Sequence, residues 1–306
     1  MKRRDFIKKS ISAGVVASAA VSVSGYKSVF SSQMQEPAAY DMVAIRGGEP
    51  GVMFNKAIEA LGGIGKFVKK GQKVLVKPNI GWDAVPERAA NTNPVLIGEI
   101  VKQCLNAGAK DVYVFDHTCN EWTYCYKNSG IEKAVKDAGG KIVPGNSESY
   151  YQTVKIENGT LLTEVKEHEL VLESDVFINV PVLKHHEASK LSIAMKNLMG
   201  IVWSRGSWHS KDLHACIAEY AAFRKPDLNI VDAYNVMKRN GPRGVSTADV
   251  QKMQYQIITT DIVAADAASA KLFGQNPNDV RYITLADKQN AGTMNLDSLN
   301  IKRIAL

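Results

Sequence analysis

The hydrophobic and polar positions of the chain alternate between two periods. Short apolar runs such as Lys73 to Lys77 (KVLVK) and Asp111 to Phe115 (DVYVF) predict buried strands. Apolar residues recur at helical spacing from Asn93-Pro94 to about Ala107, where Gly108 ends the predicted helix. Further strands are predicted at Lys141–Pro144, Asp175–Val182, Leu228–Val231 and Gln256–Thr260, and further helices at Asn55–Leu61, Ile131–Ala138, Leu213–Phe223 and Asp261–Gly274. This order predicts an α/β fold whose mostly parallel sheet is joined by crossover helices.

One segment departs from that order. Between Tyr151 and Leu170 the polarity alternates with a period of two, and Asn158-Gly159 lies in its middle. Asn-Gly is a strong signal for a tight turn between antiparallel strands. We therefore expect an antiparallel hairpin, either inserted into the fold or lying at its edge.

The N-terminus carries a targeting pattern. The run Arg3 to Lys8 (RRDFIK) resembles the twin-arginine export motif, and the mildly apolar run from Ile11 to Gly25 follows it. That run is shorter than the roughly 20 apolar residues of a membrane-spanning helix. An ordinary secretory signal or a basic amphipathic tail is the alternative. We predict a signal segment over residues 1–32, a single α/β domain over 33–306, and a periplasmic or extracytoplasmic protein whose partner in export is the twin-arginine machinery.

The basic charge belongs mostly to this leader. The chain carries a net charge of +7, and residues 1–32 hold six basic side chains and one acidic side chain, so about +2 remains for residues 33–306. A basic isoelectric point that arises in a leader does not indicate nucleic-acid binding. We expect no nucleic-acid partner and no stable membrane span after processing.

The four cysteines are too few and too scattered for a disulfide scaffold: Cys104, Cys119, Cys125 and Cys216. Cys119 and Cys125 could form a disulfide in an oxidising compartment, or they could be two buried thiols. The cysteine spacing of an iron–sulfur cluster is absent from the sequence.

Polar clusters follow four predicted strands, each at the point where the strand ends. If those strands are parallel, the clusters share one edge of the sheet, which is where open α/β sheets bind ligands. The clusters begin at Lys77, Asp116, Lys184 and Asp232, and the last one extends to Arg239 and the run Gly241-Pro242-Arg243-Gly244. Lysine and arginine side chains at such an edge favour a carboxylate or phosphate ligand.

We assign candidate roles by side-chain chemistry. Lys184, His185 and Lys77 are the candidate catalytic residues, because a lysine with a lowered pKa or a histidine can act as a general base. The candidate ligand-binding residues are Asn79, Lys196, Asn197 and Arg243. A divalent metal is a further candidate, with Asp116, His117 and Asp232 as its ligands. A solvated surface position is the alternative for these lysines, although Lys184 directly follows a strongly apolar predicted strand, and a structural role is the alternative for any one histidine.

Several common active-site motifs are absent from the sequence. It has no phosphate-binding P-loop, no G-x-G-x-x-G after a strand, no G-x-S-x-G elbow and no H-E-x-x-H. Ordinary P-loop ATPases, Rossmann dehydrogenases, serine hydrolases and zincins are therefore disfavoured.

The combined motifs resemble a known family. Six segments are similar to motifs of the "domain of unknown function 362" family: Lys77-Pro78-Asn79, Thr92-Asn93-Pro94, Asn179 to His186, Lys196-Asn197-Leu198-Met199-Gly200, Asp232 with Gly241-Pro242, and Asp261 to Asp266. The resemblance covers roughly residues 40–300, and Lys196 to Gly200 is its most specific part. It implies an α/β protein. Some members carry an added ferredoxin module, which this sequence lacks.

The sequence leaves three kinds of function open. The favoured one is an enzyme that acts on a small anionic ligand at the strand ends, with a metal or redox cofactor as an open question. The alternatives are a metal- or anion-binding protein without turnover, and a maturation partner of an exported redox enzyme.

Overall fold

The elements are those of a layered α/β protein. This computed structural model describes residues 40–306, and the predicted export segment lies outside them. Its strands are β1 (Met42–Arg46), β2 (Lys73–Pro78), β3 (Asp111–Val114), β4 (Lys141–Ile142), β5 (Tyr151–Lys155), β6 (Glu164–His168), β7 (Val176–Val180), β8 (Val182–His186), β9 (Lys190–Ser192), β10 (Leu228–Met237), β11 (Val250–Thr259) and β12 (Ile301–Ala305). Its α-helices are α1 (Pro50–Ala60), α2 (Pro94–Asn106), α3 (Trp122–Asn128), α4 (Ile131–Asp137), α5 (Glu169–Glu173), α6 (Ala194–Asn197), α7 (Leu213–Phe223), α8 (Ile262–Phe273) and α9 (Arg281–Lys288).

The main sheet has the order β12-β1-β11-β10-β7-β2-β3-β4. Strands β10, β7, β2, β3 and β4 are parallel neighbours, and β11 is antiparallel to both β10 and β1. A separate antiparallel pair, β5 and β6, forms the hairpin. The predicted α/β class, the mostly parallel sheet and the hairpin are thus confirmed.

The two faces of the sheet carry separate hydrophobic cores. On β2, Val74 and Val76 pack into one core and Leu75 into the other, because successive side chains of a strand point to opposite faces. Helices α1 and α2 contribute to the first core, whereas α6 to α9 contribute to the second. The parallel strands are therefore buried on both faces, which explains their continuous apolar runs.

Helix boundaries follow the capping signals in the sequence. The Asn93 side chain accepts a hydrogen bond from the backbone of Val95, and Pro94 occupies the first turn of α2. Asp261 caps α8 in the same way, by accepting from Val263 and Ala264. Among the described residues, no helix is long and apolar enough to cross a membrane.

One predicted strand is divided in two. The run Asp175–Val182 was expected to be a single strand with Lys184 just beyond its end, but the structure forms β7, then Pro181, then β8. Proline lacks a backbone N–H, so it interrupts the ladder there. Lys184 consequently lies inside β8, opposite Ser192 of β9.

Candidate functional site

A cavity of about 280 Å³ opens where the predicted strand-end residues meet. Lys77 at the end of β2 and Asp116 just after β3 come from adjacent parallel strands, so their side chains converge. The lining consists mainly of polar side chains from five parts of the chain: Lys77, Asn79, Trp82, Asp116, His117, Cys119, Lys184, His186, Ser192, Lys196, Asn197, Met199, Arg205 and His209. Residues of the predicted clusters at Lys77, Asp116 and Lys184 therefore meet in one place.

A buried ion pair forms the floor of the cavity. Lys77 Nζ lies 2.9 Å from Asp116 Oδ1, and both side chains are nearly inaccessible to solvent. The other Asp116 oxygen accepts the backbone N–H of Ile80 at 2.7 Å. Burial, opposed by Asp116, lowers the pKa of Lys77. Asp116 is therefore held on one side by this ion pair and on the other by the Ile80 backbone.

Asn197 belongs to a hydrogen-bond network that connects the two buried lysines of the cavity. Its Oδ1 accepts from Lys77 Nζ at 2.9 Å and from Asn79 Nδ2 at 3.1 Å. Its Nδ2 donates to Asn179 Oδ1 at 2.9 Å. Asn79 Oδ1 in turn accepts from Lys184 Nζ at 3.1 Å, so one amide network orients both buried ammonium groups.

Helix α6, which carries Lys196 and Asn197, is fixed from outside the cavity. Asp266 of α8 is fully buried and accepts the backbone N–H groups of Ala194 at 2.7 Å and Met195 at 3.2 Å. These are donors at the start of α6 that have no partner within the helix. The Asp261 to Asp266 motif therefore positions the site without lining it.

Three cations in the lining have no carboxylate partner among the described residues: Lys184, Lys196 and Arg205. Lys184 Nζ donates to Asn79 and to the carbonyl of Ala90. Lys196 Nζ lies 3.1 Å from the Met199 sulfur, which is a weak acceptor. Burial lowers the pKa of Lys184 to about 7 and that of Lys196 to about 8. The cavity therefore carries uncompensated positive charge at neutral pH.

Two histidines of the lining are neutral. Burial lowers the pKa of His117 to about 4 and that of His186 to about 2. His117 Nδ1 lies 3.3 Å from the carbonyl of Val202, which can only accept, so Nδ1 carries the proton and Nε2 keeps a lone pair. His186 has the opposite tautomer, because its Nδ1 accepts the backbone N–H of Ser189 at 3.3 Å. One ring therefore offers a base and the other an N–H donor.

His185 does not line the cavity, contrary to its predicted catalytic role. Side chains alternate along β8, so Lys184 and His186 share the cavity face while His185 points to the other. There its Nδ1 accepts the backbone N–H of Gly241 at 3.1 Å. Arg243, predicted to bind ligand, is exposed and also absent from the lining.

The three predicted metal ligands do not form one group, because Asp116 and His117 line the cavity and Asp232 does not. Asp232 lies inside β10, not at its end, and its carboxylate accepts backbone N–H groups of Asn93 and Tyr234 at 2.8 and 3.0 Å. Asp116 is held by Lys77 and Ile80. Among residues 40–306, no three His, Cys, Asp or Glu side chains are grouped so as to hold a metal ion.

Cys119 and Cys125 are both free thiols. Cys125 is buried, whereas Cys119 is exposed and lines the cavity 3.6 Å from an Arg205 nitrogen. The two cysteines therefore do not form a disulfide in this structure, and only Cys125 is a buried thiol.

The sequence did not point to Arg205, which also lines the cavity. It lies in a short 3₁₀-helix, Arg205–His209, and donates to the carbonyl of Thr118 at 3.0 Å. No strand end or motif marks this loop, and only its position shortly after Lys196 to Gly200 could have pointed to it.

A family model agrees with the motifs. The model of the family "Domain of unknown function (DUF362)" matches residues 74–271. A thylakoid-associated protein of Synechocystis sp. is 28% identical over 227 residues, which are 69% of this chain and 69% of that protein. The solved lactate racemase apoprotein of Thermoanaerobacterium thermosaccharolyticum is 12% identical with a TM-score of 0.45, over 76% of this chain and 57% of the racemase chain.

Proposed function

This chain belongs to the DUF362 family, and we propose that its cavity binds a small carboxylate or phosphate and, as an enzyme, moves a proton at that ligand. The observation that carries the proposal is the set of three cations, Lys184, Lys196 and Arg205, that line one cavity without a carboxylate partner. Burying charge without a counter-charge is costly, and a bound anion removes that cost.

The proton-transfer part of the proposal is supported by His117. Its Nε2 lone pair is free at neutral pH, because the ring is neutral and Nδ1 faces the carbonyl of Val202. The ring is held in place by stacking on Trp203, with 4.9 Å between the ring centroids. This neutral imidazole offers an unprotonated ring nitrogen beside the anion site, and a bound anion would raise its pKa from about 4 toward the range of a general base. Asp116 is less suited, because Lys77 already holds it.

Calorimetric titration with oxalate and with inorganic phosphate tests the binding proposal. Wild-type protein should bind at least one of them, and Lys196→Met or Arg205→Met should weaken binding by about tenfold or more, since a charge-assisted hydrogen bond contributes about 1.5–3 kcal/mol. Lys225→Met, which removes an exposed lysine outside the lining, is the matched control and should bind as wild type. Equal binding by all variants would contradict the proposal.

A non-catalytic anion-binding protein is the second candidate, because the same three cations support it. His117→Gln separates the two. In an enzyme this variant should retain oxalate or phosphate binding and lose turnover of any substrate found, whereas a binding protein has no turnover to lose.

Export by the twin-arginine pathway remains a proposal that rests on Arg3 and Arg4. Replacing both with Lys should retain the full-length precursor in the cytoplasm, as measured by fractionation and immunoblotting. Unchanged export would contradict it.

A further inference from the structure

We propose that the amine of Lys184 condenses with a carbonyl carbon of the bound anion, so that the ligand class is a small oxo acid. This inference rests on the proposed anion site and deepens it by naming the ligand's second functional group. Lys196 and Arg205 would hold the carboxylate while Lys184 engages the carbonyl.

The geometry around Lys184 Nζ favours a nucleophilic amine. The nitrogen donates to Asn79 Oδ1 at 3.1 Å and to the carbonyl of Ala90. These two acceptors and its own Cε take three of the four tetrahedral directions. The fourth direction is left for a ligand in the cavity that Lys184 lines. Two fixed acceptors also restrict rotation of the amine, which orients its lone pair before the ligand arrives.

Lys77 provides the contrast within the same site. It is as deeply buried as Lys184, but its Nζ lies 2.9 Å from Asp116 Oδ1 and 2.9 Å from Asn197 Oδ1. A carboxylate partner stabilises the ammonium form of Lys77 and makes its nitrogen less available to a ligand. Lys184 has neutral acceptors only, so losing its proton leaves no carboxylate unpaired.

Burial and the neighbouring charges also favour the unprotonated amine of Lys184. Burial is the main cause that lowers the pKa of Lys184 to about 7, with Lys196 and Lys77 acting in the same direction and Cys119 and Asp116 opposing them. Lys184 therefore has a substantial unprotonated fraction near neutral pH, against less than about one in a thousand for an ordinary lysine. A desolvated lysine beside other cations is a known route to an amine nucleophile.

The condensation balances without a further reactant. The Lys184 lone pair forms a C–N bond to the carbonyl carbon, and the carbonyl π pair moves to oxygen. That oxygen leaves as one water with the two amine protons, and a C=N bond remains. Nothing is oxidised or reduced, so the site needs no redox partner for this step.

Reductive trapping tests the inference. Wild-type protein is incubated with 2-oxobutyrate and sodium cyanoborohydride, and the adduct is located by intact mass and peptide mapping. We expect an addition equal to the ligand mass less one oxygen, confined to Lys184. Lys184→Arg should reduce labelling at least about tenfold, because an arginine stays protonated. Lys225→Met should label as wild type.

Binding of 2-hydroxybutyrate distinguishes failure of this inference from failure of the anion site. This analogue has the same carboxylate and no keto group, so wild-type protein should bind it and form no adduct. Circular dichroism checks that Lys184→Arg is folded. If 2-hydroxybutyrate binds and no adduct forms with 2-oxobutyrate, or if the adduct lies on Lys196, the anion site stands and the inference is overturned. If neither acid binds and no adduct forms, the proposed function fails and the inference fails with it.

Discussion

Gly200 lies directly against the ion pair of Lys77 and Asp116. A Cβ added at Gly200 would lie 2.6 Å from Lys77 Nζ and would overlap Asp116 Oδ1. This close approach explains why a glycine ends the Lys196 to Gly200 segment: the backbone itself forms a wall of the cavity. The backbone carbonyl of Gly200 also accepts the N–H of His117 at 3.0 Å, which ties the segment to the end of β3.

Gly200→Ala should therefore disrupt both stability and ligand binding. We expect the free energy of unfolding to fall by about 1–3 kcal/mol, as is typical when a well-packed site is overfilled. Urea unfolding measures this. Gly206→Ala is the control, because a Cβ there meets no atom within 4 Å. Equal stability of the two variants would contradict the close packing.

Asp116→Asn should be strongly destabilising, because it leaves Lys77 buried without a counter-charge. Breaking a buried pair from one side costs about 3–5 kcal/mol. The exposed pair of Lys133 and Asp137 supplies the control, and Asp137→Asn should cost less than about 1 kcal/mol. Comparable losses in the two variants, measured by urea unfolding, would show that Lys77 and Asp116 do not form the pair described.

The two adjacent histidines should differ in function. His186→Ala should weaken oxalate binding about fivefold or more, since it removes an N–H donor from the lining, and a hydrogen bond contributes about 1 kcal/mol. His185→Ala should leave binding within about twofold of wild type and act on stability, because its ring accepts from Gly241. The reverse pattern in calorimetry would mean that β8 presents its other face to the cavity.

Anion affinity should fall as pH rises. The pKa of Lys184 is about 7 and that of Lys196 about 8, so both lose their positive charge between about pH 6 and 9. Oxalate has no keto group to condense with Lys184, so its carboxylates favour the charged forms of both lysines, and its binding should take up protons in this window. Titrations in buffers of different ionisation enthalpy would detect that uptake. Binding through the Arg205 guanidinium does not depend on the two lysines, so weak binding should persist above the window. An affinity for oxalate that rises with pH would contradict binding by Lys184 and Lys196.

The sequence predicted the fold well because both faces of the sheet are buried and the helices have clear caps. Lys77 and Asp116 could be placed together because β2 and β3 are adjacent and parallel. The sequence could not exclude Asp232 as a metal ligand. Strand β10 continues for five residues beyond it, to Met237, so Asp232 does not lie at a strand end. A buried carboxylate that accepts backbone N–H groups also looks like a metal ligand when only the sequence is known.

The remaining differences between the predicted and the observed structure arise from contacts between residues that are distant in sequence. Arg205 reaches the cavity from a loop, so no local pattern marks it. The side of β8 that faces the cavity depends on its pairing with β9, which decides between His185 and His186. Likewise, β12 was not predicted, because its short run at the chain end is defined by parallel pairing with β1.

A crystal structure of the protein with oxalate is the most direct test of the anion site. We expect oxalate inside the cavity, with its oxygens within about 3 Å of Lys196 Nζ and an Arg205 nitrogen, the distance of a charge-assisted hydrogen bond. A crystal soaked to saturation in which the cavity holds no oxalate, or in which oxalate lies only on the exposed surface, would contradict it.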